Sequence, residues 1–561
     1  MAKVLFINPT VRHHDSPRHV PYGMAILVAQ AMNAGHQVQV YDENAWRPED
    51  PEATVTAALQ ADDWDVIATG GLTTTYNSLK KILITAKRKC PDALLVAGNG
   101  FLSSMPRDMM EMRPEIDIGV IGEAYVTFPE ILQRVDAGQT ADWTDCKGVI
   151  WRDAAGEIKL TAPRGLLESN GLNELPYPAH DMFPLEKYWE NSGQLFSEAG
   201  MTVKKKLDIN ASYGCALICR FCWHLGLIGD TFQHETPKGK DVFFTYDRQL
   251  RWHSPEYIVK MVKHWYDKYQ IDYIGFLDEN LMTMHRSSRG KWLPEICRLW
   301  IEYGLQPDCV RNGVPHDENC THGVHWGGTS HAGQVDRNIL TQMYQAGCIH
   351  LDYGLETFND RVLDNIGKGS TVRKNKDAIT MTMEAGIRPI PNQILGFPDE
   401  FFDSIYDDIK AWEEMGVVCY PFLATAYPGS EWYTVYKDKV LEQYDGDLEA
   451  FISDLDDATK ITANICENFT TVELLGIREL MVAFNYRKLK QFEAEWWSRH
   501  KTVKLPKFLA KGWRDRVQAV VNGERADPYA QEMVELTREQ YKDYLRASRE
   551  GVGVGLSAAA Q

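Results

Sequence analysis

Cys215-Ala-Leu-Ile-Cys219-Arg-Phe-Cys222 is the most informative segment of this 561-residue chain. An apolar run at 206–211 precedes it and predicts a β-strand, which places the three thiols on the loop that follows. Three cysteine ligands leave one iron of a [4Fe-4S] cluster open to an external ligand, whereas electron-transfer clusters usually have four. The segment therefore predicts a cluster held by Cys215, Cys219 and Cys222 and used for chemistry.

A zinc knuckle is the alternative interpretation of the same cysteines. A closed structural zinc site uses four protein ligands in paired spacings, and no second Cys-x-x-Cys follows this one. His224 is a candidate fourth ligand, so the alternative stays open at this point.

The residues around this segment alternate apolar runs with amphipathic stretches, which is typical of βα units. Six strands are predicted between residues 206 and 435, at 206–211, 273–277, 323–328, 349–355, 387–395 and 419–425. Ser254 followed by Pro255 predicts the start of a helix, because serine caps a helix well and proline suits its first turn. We expect a partial (βα)6 barrel with its active site at the carboxyl ends of the strands.

An α/β domain is predicted before the barrel, over residues 1–138. Its five strands are expected at 3–8, 37–41, 65–69, 93–97 and 117–120. The fold is flavodoxin-like or Rossmann-like, and such sheets bind ligands at the carboxyl ends of their strands. The loops there are rich in Gly, Thr, Ser and Asn, but by themselves they also fit a regulatory or structural domain.

Two further regions complete the expected domain organisation. Residues 139–205 read as a connector with a hairpin near 148–159, and residues 436–561 read as a helical domain.

Composition excludes several classes of function. The net charge of -18 and the pI near 5.4 oppose binding to phosphate backbones, so no nucleic-acid partner is expected. No apolar run is long enough to span a bilayer, and no export signal is recognised. The eleven cysteines are scattered, which favours a reducing compartment. We expect a cytoplasmic protein.

The cysteine spacing, with Phe221 as the aromatic residue, resembles the signature of the radical SAM superfamily. Tyr353-Gly354-Leu355-Glu356-Thr357 and Asn392-Gln393-Ile394-Leu395-Gly396-Phe397-Pro398 resemble its fourth-strand and fifth-strand motifs. The resemblance implies cleavage of S-adenosylmethionine (SAM) to methionine and a 5'-deoxyadenosyl radical. It implies SAM contacts by Phe221, Gly354, Glu356, Asp278, Gln393 and Gly396. For Asp278 a hydrogen-bonding role at the end of the sheet remains equally open.

A flavodoxin-like domain before such a barrel resembles the cobalamin-binding radical SAM class. The resemblance implies a corrin surrounded by Asn8, Pro9, Tyr22, Gly71, Leu72, Thr73, Thr74, Gly98, Asn99, Gly100, Gly122 and Glu123. The chain has no Asp-x-His-x-x-Gly motif, so no histidine is expected on the lower face of cobalt. The resemblance places the loop 70–76 beneath the corrin instead.

The class implies a methyltransferase that moves a methyl group from SAM, via methylcobalamin, to an unactivated carbon of a small molecule. An external electron donor such as flavodoxin or ferredoxin is expected, and no catalytic side chain is assigned. Three alternatives remain: a cyclase or rearrangement enzyme with the same cofactors, a radical SAM enzyme with a vestigial cobalamin domain, and a non-catalytic cobalamin carrier or sensor.

A second group of metal-binding residue types lies between predicted barrel strands. It comprises Cys309, His316, Cys320, His322, His325 and His331. The spacings fit no standard metal motif. A polar lid or a substrate-binding insertion is therefore the preferred interpretation, and a second metal site is the alternative.

Overall fold

The computed structural model describes residues 1–13, 15–192, 203–223, 231–236, 239–244, 249–314, 320, 322–506 and 533–549. Its N-terminal sheet has seven strands in the order β2-β1-β3-β4-β5-β6-β7. These are β1 Lys3–Asn8, β2 Gln37–Asp42, β3 Val66–Gly70, β4 Leu94–Gly98, β5 Ile118–Val120, β6 Val149–Arg152 and β7 Ile158–Leu160. The first five are parallel, with the strand order of flavodoxin-like folds. The α/β prediction for this region is confirmed.

Helices connect and cover the N-terminal sheet. They are Tyr22–Asn33, Glu43–Trp46, Pro51–Leu59, Tyr76–Lys89, Gly100–Ser103, Pro106–Met112 and Ala124–Asp136. The predicted hairpin is β6 and β7, which pair antiparallel with each other and with β5. The hairpin therefore extends the N-terminal sheet, which corrects its interpretation as part of a connector. The short helices Ser169–Leu172 and Leu185–Trp189 follow it.

The barrel is an open, six-stranded parallel sheet in the order β17-β16-β15-β14-β13-β8. Its strands are β8 Lys206–Ile209, β13 Tyr273–Phe276, β14 His325–Ser330, β15 Cys348–Glu356, β16 Arg388–Leu395 and β17 Phe422–Leu423. The partial barrel is confirmed, although β17 is only two residues long. Two short antiparallel pairs follow β8 in the chain: β9 Ser212–Tyr213 with β12 Arg251–Trp252, and β10 Thr231–Thr236 with β11 Gly239–Phe244.

Helices cover the outside of the barrel. They are Pro255–Tyr269, Leu281–Ser287, Trp292–Glu302, Asp308–Asn312, Arg337–Gln345, Asp360–Asn365, Val372–Glu384 and Phe402–Met415. The first begins as the sequence predicts, because the Ser254 hydroxyl accepts the Tyr257 N–H at 3.2 Å. It buries Ile258 and Trp265 in a core that continues into the N-terminal sheet.

The C-terminal region is mostly helical, with one difference from the prediction. Its helices are Glu431–Glu442, Leu448–Asp454, Thr471–Val482, Tyr486–Arg499 and Arg538–Arg549. Strands β18 Thr502–Pro506 and β19 Met533–Thr537 form an antiparallel pair that the helical assignment of 436–561 missed. No helix among the described residues is long and apolar enough to cross a bilayer.

A buried ion pair joins the N-terminal sheet to the barrel. Arg251 in β12 donates to both carboxylate oxygens of Glu123, one of them at 2.8 Å, and to the Leu167 carbonyl at 2.8 Å. The Arg251 side chain is only 3% exposed and that of Glu123 14%. Removing one partner of such a pair leaves the other charge buried without compensation.

We expect Arg251→Met to lower the free energy of unfolding by about 3 kcal/mol, since truncating one partner of a buried pair typically costs that much. Urea denaturation measures the change. Adding Glu123→Gln to Arg251→Met should recover part of the loss. The control is Arg298→Met, because Arg298 pairs with Glu295 and Glu302 on the exposed surface and should contribute little. Equal losses in both single variants would contradict the assignment.

Candidate active site

The three cysteines of the central motif lie at the carboxyl end of β8. Cys219 is buried, and Cys215 and Cys222 are half-buried. Burial raises the pKa of the Cys219 thiol to about 12, Lys368 lowers it, and the neighbouring Cys222 and Cys215 raise it further. The three thiols are therefore close enough to interact electrostatically.

The spacing of these thiols bears on the choice between zinc and a cluster. A single tetrahedral zinc ion holds its sulfur ligands about 3.8 Å apart. The three sulfurs do not all lie within 4.8 Å of one another. A cluster binds each thiolate through a different iron and suits the wider spacing. His224, the candidate fourth zinc ligand, lies outside the described residues.

Glu356 is the last residue of strand β15, and the backbone is distorted there. The pairing with β16 shifts register between Gly354 and Glu356, and Glu356 has a φ of +64°. Its carboxylate accepts a hydrogen bond from Lys368 Nζ at 2.6 Å, and both side chains are buried. Burial lowers the pKa of Lys368, but Glu356 and Cys219 outweigh it, so the pKa is raised overall. Lys368 therefore carries its charge beside both the acid and the cysteine loop.

Gly354 leaves the space that this ion pair occupies. A Cβ at this position would lie 2.5 Å from Glu356 Oε1 and 2.8 Å from Lys368 Nζ. Only glycine therefore fits without displacing the pair.

A cavity of about 630 Å³, the barrel cavity, opens at this end of the sheet. Phe221, Gly354 and Glu356 line it, as the SAM prediction expects. Thr73 and Thr74, predicted to contact cobalamin, line this cavity too. Asn392 also lines it, and the sequence analysis did not select that residue.

Three residues predicted to bind SAM line neither this cavity nor the one described next. Gln393 accepts a hydrogen bond from the Trp412 indole N–H, because alternate side chains of β16 face opposite ways. The Gly396 N–H donates to Glu400 at 3.1 Å. Asp278 accepts from the Ala211 N–H at 3.1 Å and from the Ser212 hydroxyl, and burial raises its pKa to about 7. All three have internal structural contacts instead.

A second cavity of about 490 Å³, the N-terminal cavity, lies at the carboxyl ends of the first sheet. The predicted cobalamin residues that line it are Asn8, Pro9, Tyr22, Gly71, Leu72, Gly98, Asn99, Gly122 and Glu123. Gly100 lines neither cavity and begins a short helix, where its N–H donates to the Asn99 side chain at 2.7 Å.

The N-terminal cavity has the glycine lining that a large planar group requires. A Cβ added to Gly23 or Gly122 would meet no protein atom within 4 Å, so it would project into the open space. The barrel contributes Tyr213 and Glu279 to the same cavity. The residues present therefore fit a corrin bound between the sheet and the barrel.

Val11, Leu72 and Trp223 line both cavities, and we call these three residues the shared wall. Trp223 directly follows the last cysteine of the motif. The shared wall brings the two candidate cofactor sites next to each other.

Three residues at the site were not predicted from the sequence: Lys368, Asn392 and Trp223. Trp223 could have been selected because it directly follows Cys222. Asn392 could have been selected because the side chains of a β-strand such as β16 alternate between its two faces. Lys368 follows the helix Asp360–Asn365 and reaches Glu356 only through the tertiary fold.

Strand β14 divides the Cys- and His-rich group. Cys309, Cys320 and His325 meet at the amino end of β14, away from the cavities. His331 lies beyond the carboxyl end and contacts the Lys368 carbonyl at 2.8 Å. His322 contacts Asp308 at 3.1 Å on the surface, and His316 lies outside the described residues. Cys309, Cys320 and His325 line neither cavity, so the interpretation of the group as a lid or substrate-binding insertion stays a prediction.

Known families match two separate parts of the chain. Residues 10–132 match the B12 binding domain, and residues 209–411 match the Radical SAM superfamily.

Two curated proteins illustrate the range of similar sequences. An uncharacterized methyltransferase of Pyrococcus horikoshii is 24% identical over 414 residues, which cover 73% of this chain and 77% of that protein. The anaerobic magnesium-protoporphyrin IX monomethyl ester cyclase of Cereibacter sphaeroides is 22% identical over 380 residues. That match covers 67% of this chain and about half, 54%, of the cyclase.

Solved structures share the fold at low sequence identity. The radical S-adenosylmethionine methyltransferase TsrM from Kitasatospora setae, with cobalamin and a [4Fe-4S] cluster bound, has a TM-score of 0.58 at 16% identity, covering 79% of each chain. The cobalamin-dependent S-adenosylmethionine radical enzyme OxsB, with aqua-cobalamin bound, has a TM-score of 0.59 at 13% identity. It covers 99% of this chain and 71% of that one.

We expect Gly354→Ala to lower SAM affinity and 5'-deoxyadenosine formation at least about tenfold, equivalent to about 1.4 kcal/mol, because the added Cβ displaces the Glu356–Lys368 pair. Equilibrium binding and product chromatography after reduction measure the two effects. The control is Gly476→Ala, at an exposed helical position where a Cβ meets nothing within 4 Å. Unchanged binding and cleavage in Gly354→Ala would remove Glu356 from the SAM site.

Proposed function

We propose that this chain, which belongs to the radical SAM superfamily and carries a B12-binding domain, is a methyltransferase. Its cofactors are a [4Fe-4S] cluster, SAM and cobalamin. In this proposal a methyl group moves from SAM to an unactivated carbon of a small or medium-sized metabolite. The observation that carries it is the shared wall, which puts the barrel cavity and the N-terminal cavity side by side.

The cysteine loop and the barrel cavity would bind SAM for reductive cleavage. Cys215, Cys219 and Cys222 would hold the cluster, which would supply an open iron for SAM and the electron for its reductive cleavage. Glu356 would accept hydrogen bonds from SAM. Its hydrogen bond with Lys368 fixes its direction, so less ordering is needed when SAM binds.

The shared wall would control the approach of the two reagents. Leu72 and Trp223 are large apolar side chains that contact both cavities, so they exclude water from the space between them. A radical formed on one side would then meet the substrate before it meets solvent.

The similar proteins support two chemistries. TsrM and the Pyrococcus protein are named methyltransferases, which supports the main proposal. The Cereibacter relative is a cyclase, which supports ring formation or rearrangement without net methyl transfer as the second candidate. Either reaction needs an external electron donor, for which a flavodoxin or ferredoxin is suited, and we propose that it takes place in the cytoplasm.

The full chain, reconstituted anaerobically with cluster, cobalamin, reductant and SAM, should form S-adenosylhomocysteine only when cobalamin is present. It should also form 5'-deoxyadenosine. Cys219→Ser should abolish 5'-deoxyadenosine and retain cobalamin, because Cys219 lines neither cavity. Cys297→Ser, which changes a buried cysteine on an outer barrel helix, is the control.

Each remaining outcome selects a different function. Cobalamin binding without S-adenosylhomocysteine would favour the cyclase or rearrangement candidate. SAM cleavage without cobalamin binding would mean a vestigial first domain, and the methyltransferase proposal would fall. Tolerance of Cys219→Ser in every assay would indicate a carrier or sensor.

The loop beneath the proposed corrin gives a second prediction. Leu72→His should add an imidazole ligand to cobalt, and the stronger ligation should slow methyl release as a radical. Nitrogen splitting in the electron paramagnetic resonance spectrum of the reduced cobalt reports the ligation. Leu72→Met changes shape without adding a nitrogen ligand, so it should leave the spectrum unchanged. An identical spectrum and turnover in Leu72→His would remove this loop from the lower face.

A further inference from the structure

Two thiols and an imidazole meet at the base of the barrel, outside the proposed active site. Cys309 lies in the helix Asp308–Asn312, Cys320 in the following segment, and His325 at the first residue of β14. Cys309 and His325 are 4% and 3% exposed, and Cys320 is half-buried. Among the residues that the structure describes, no other three Cys, His, Asp or Glu ligand atoms all lie within 4.8 Å of one another.

The distances match those around a single tetrahedral ion. Cys309 Sγ lies 3.3 Å and Cys320 Sγ 3.8 Å from His325 Nε2. A zinc ion with sulfur at about 2.3 Å and nitrogen at about 2.05 Å separates these ligand atoms by about 3.6 Å. Both observed values lie within about 0.3 Å of that separation, and all three ligand atoms lie within 4.8 Å of one another.

The imidazole is held in the orientation that a metal ligand requires. His325 Nδ1 lies 3.2 Å from the Gly347 carbonyl, which only accepts hydrogen bonds, so Nδ1 carries the proton. Nε2 then presents its lone pair towards the two sulfurs. A backbone carbonyl on the second nitrogen is a common partner of metal-binding histidines.

The surrounding backbone is closely packed and held by hydrogen bonds. The Gly347 carbonyl also accepts the Trp326 N–H at 3.1 Å, which connects the site to β14. A Cβ on Gly323 or Gly347 would lie 2.5 Å and 2.7 Å, respectively, from Pro307. This packing fixes Cys309 and His325 relative to each other before any ion binds.

From this geometry we propose that Cys309, Cys320 and His325 bind a zinc ion that connects the helix Asp308–Asn312 and Cys320 to the amino end of β14. Two soft thiolates and an imidazole are the ligand types that zinc prefers. Binding releases the two thiol protons to solvent, and no electron is transferred. Water or another ligand takes the fourth position.

The site stabilises the barrel and takes no part in the radical reaction. His325 and Ser330 are the two ends of β14, which spans about 16 Å at roughly 3.3 Å per residue. The barrel cavity and N-terminal cavity lie at the carboxyl ends of their strands, so the ion is separated from both by the length of the sheet. The proposed zinc site is therefore independent of the proposed methyl transfer.

Elemental analysis of the full chain, purified anaerobically without added zinc, tests the proposal. We expect close to one zinc per chain in addition to the cluster iron. Cys320→Ser and His325→Gln should lower the zinc content at least tenfold and leave the iron content and cluster absorbance unchanged. Cys90→Ser, at another half-buried cysteine, is the matched control and should retain zinc.

Cobalt substitution provides a second readout on the unmodified protein. Replacing the zinc with Co²⁺ should give thiolate-to-cobalt charge-transfer absorption and the visible bands of a tetrahedral site. That result would support the proposal even if a variant failed to fold. The proposal is overturned if neither Zn²⁺ nor Co²⁺ binds beyond the cluster, if Cys320→Ser retains zinc, or if peptide mapping finds Cys309 and Cys320 joined in a disulfide.

Discussion

The carboxyl ends of two parallel sheets face one another, and the candidate site depends on that arrangement. Loops after β1, β3, β4 and β5 line the same cavity as residues that follow β8 and β13. Parallel strands send all their ligand-binding loops to one edge of a sheet. Because two such edges face each other, a flat cofactor site lies against a cluster-binding loop. No long-range movement of the chain is needed to bring them together.

Two buried ion pairs hold this arrangement. Neither adds much net stability, because the cost of burying the two charges offsets most of the free energy gained by pairing them. Glu123–Arg251 connects the end of the N-terminal sheet to the β9–β12 pair, and Glu356–Lys368 lies beside the cysteine loop. Apolar side chains of similar volume often stabilise a core as well as a buried ion pair does. The positions of both pairs at cavity edges therefore favour a role in fixing polar groups for ligands.

Much of the fold was predictable because it depends on local patterns. The strands of both sheets follow apolar runs, and the cysteine spacing identifies the loop after β8. The direction of a side chain depends on more than the local pattern. Gln393 was predicted at the SAM site, but its neighbour Asn392 lines the barrel cavity and Gln393 contacts Trp412. Lys368 depends on a tertiary contact with Glu356. The β18–β19 pair was missed because its partners lie about 30 residues apart and short strands have weak patterns.

The position of Trp223 makes the two cofactor sites chemically interdependent. The residue is covalently next to Cys222 and contributes to the boundary between both cavities. Oxygen damage that dissolves the cluster would release the cysteine loop and with it this indole. Exposure to air would then alter the corrin environment as well, and the absorption spectrum of the bound cobalamin would depend on how a preparation had been handled.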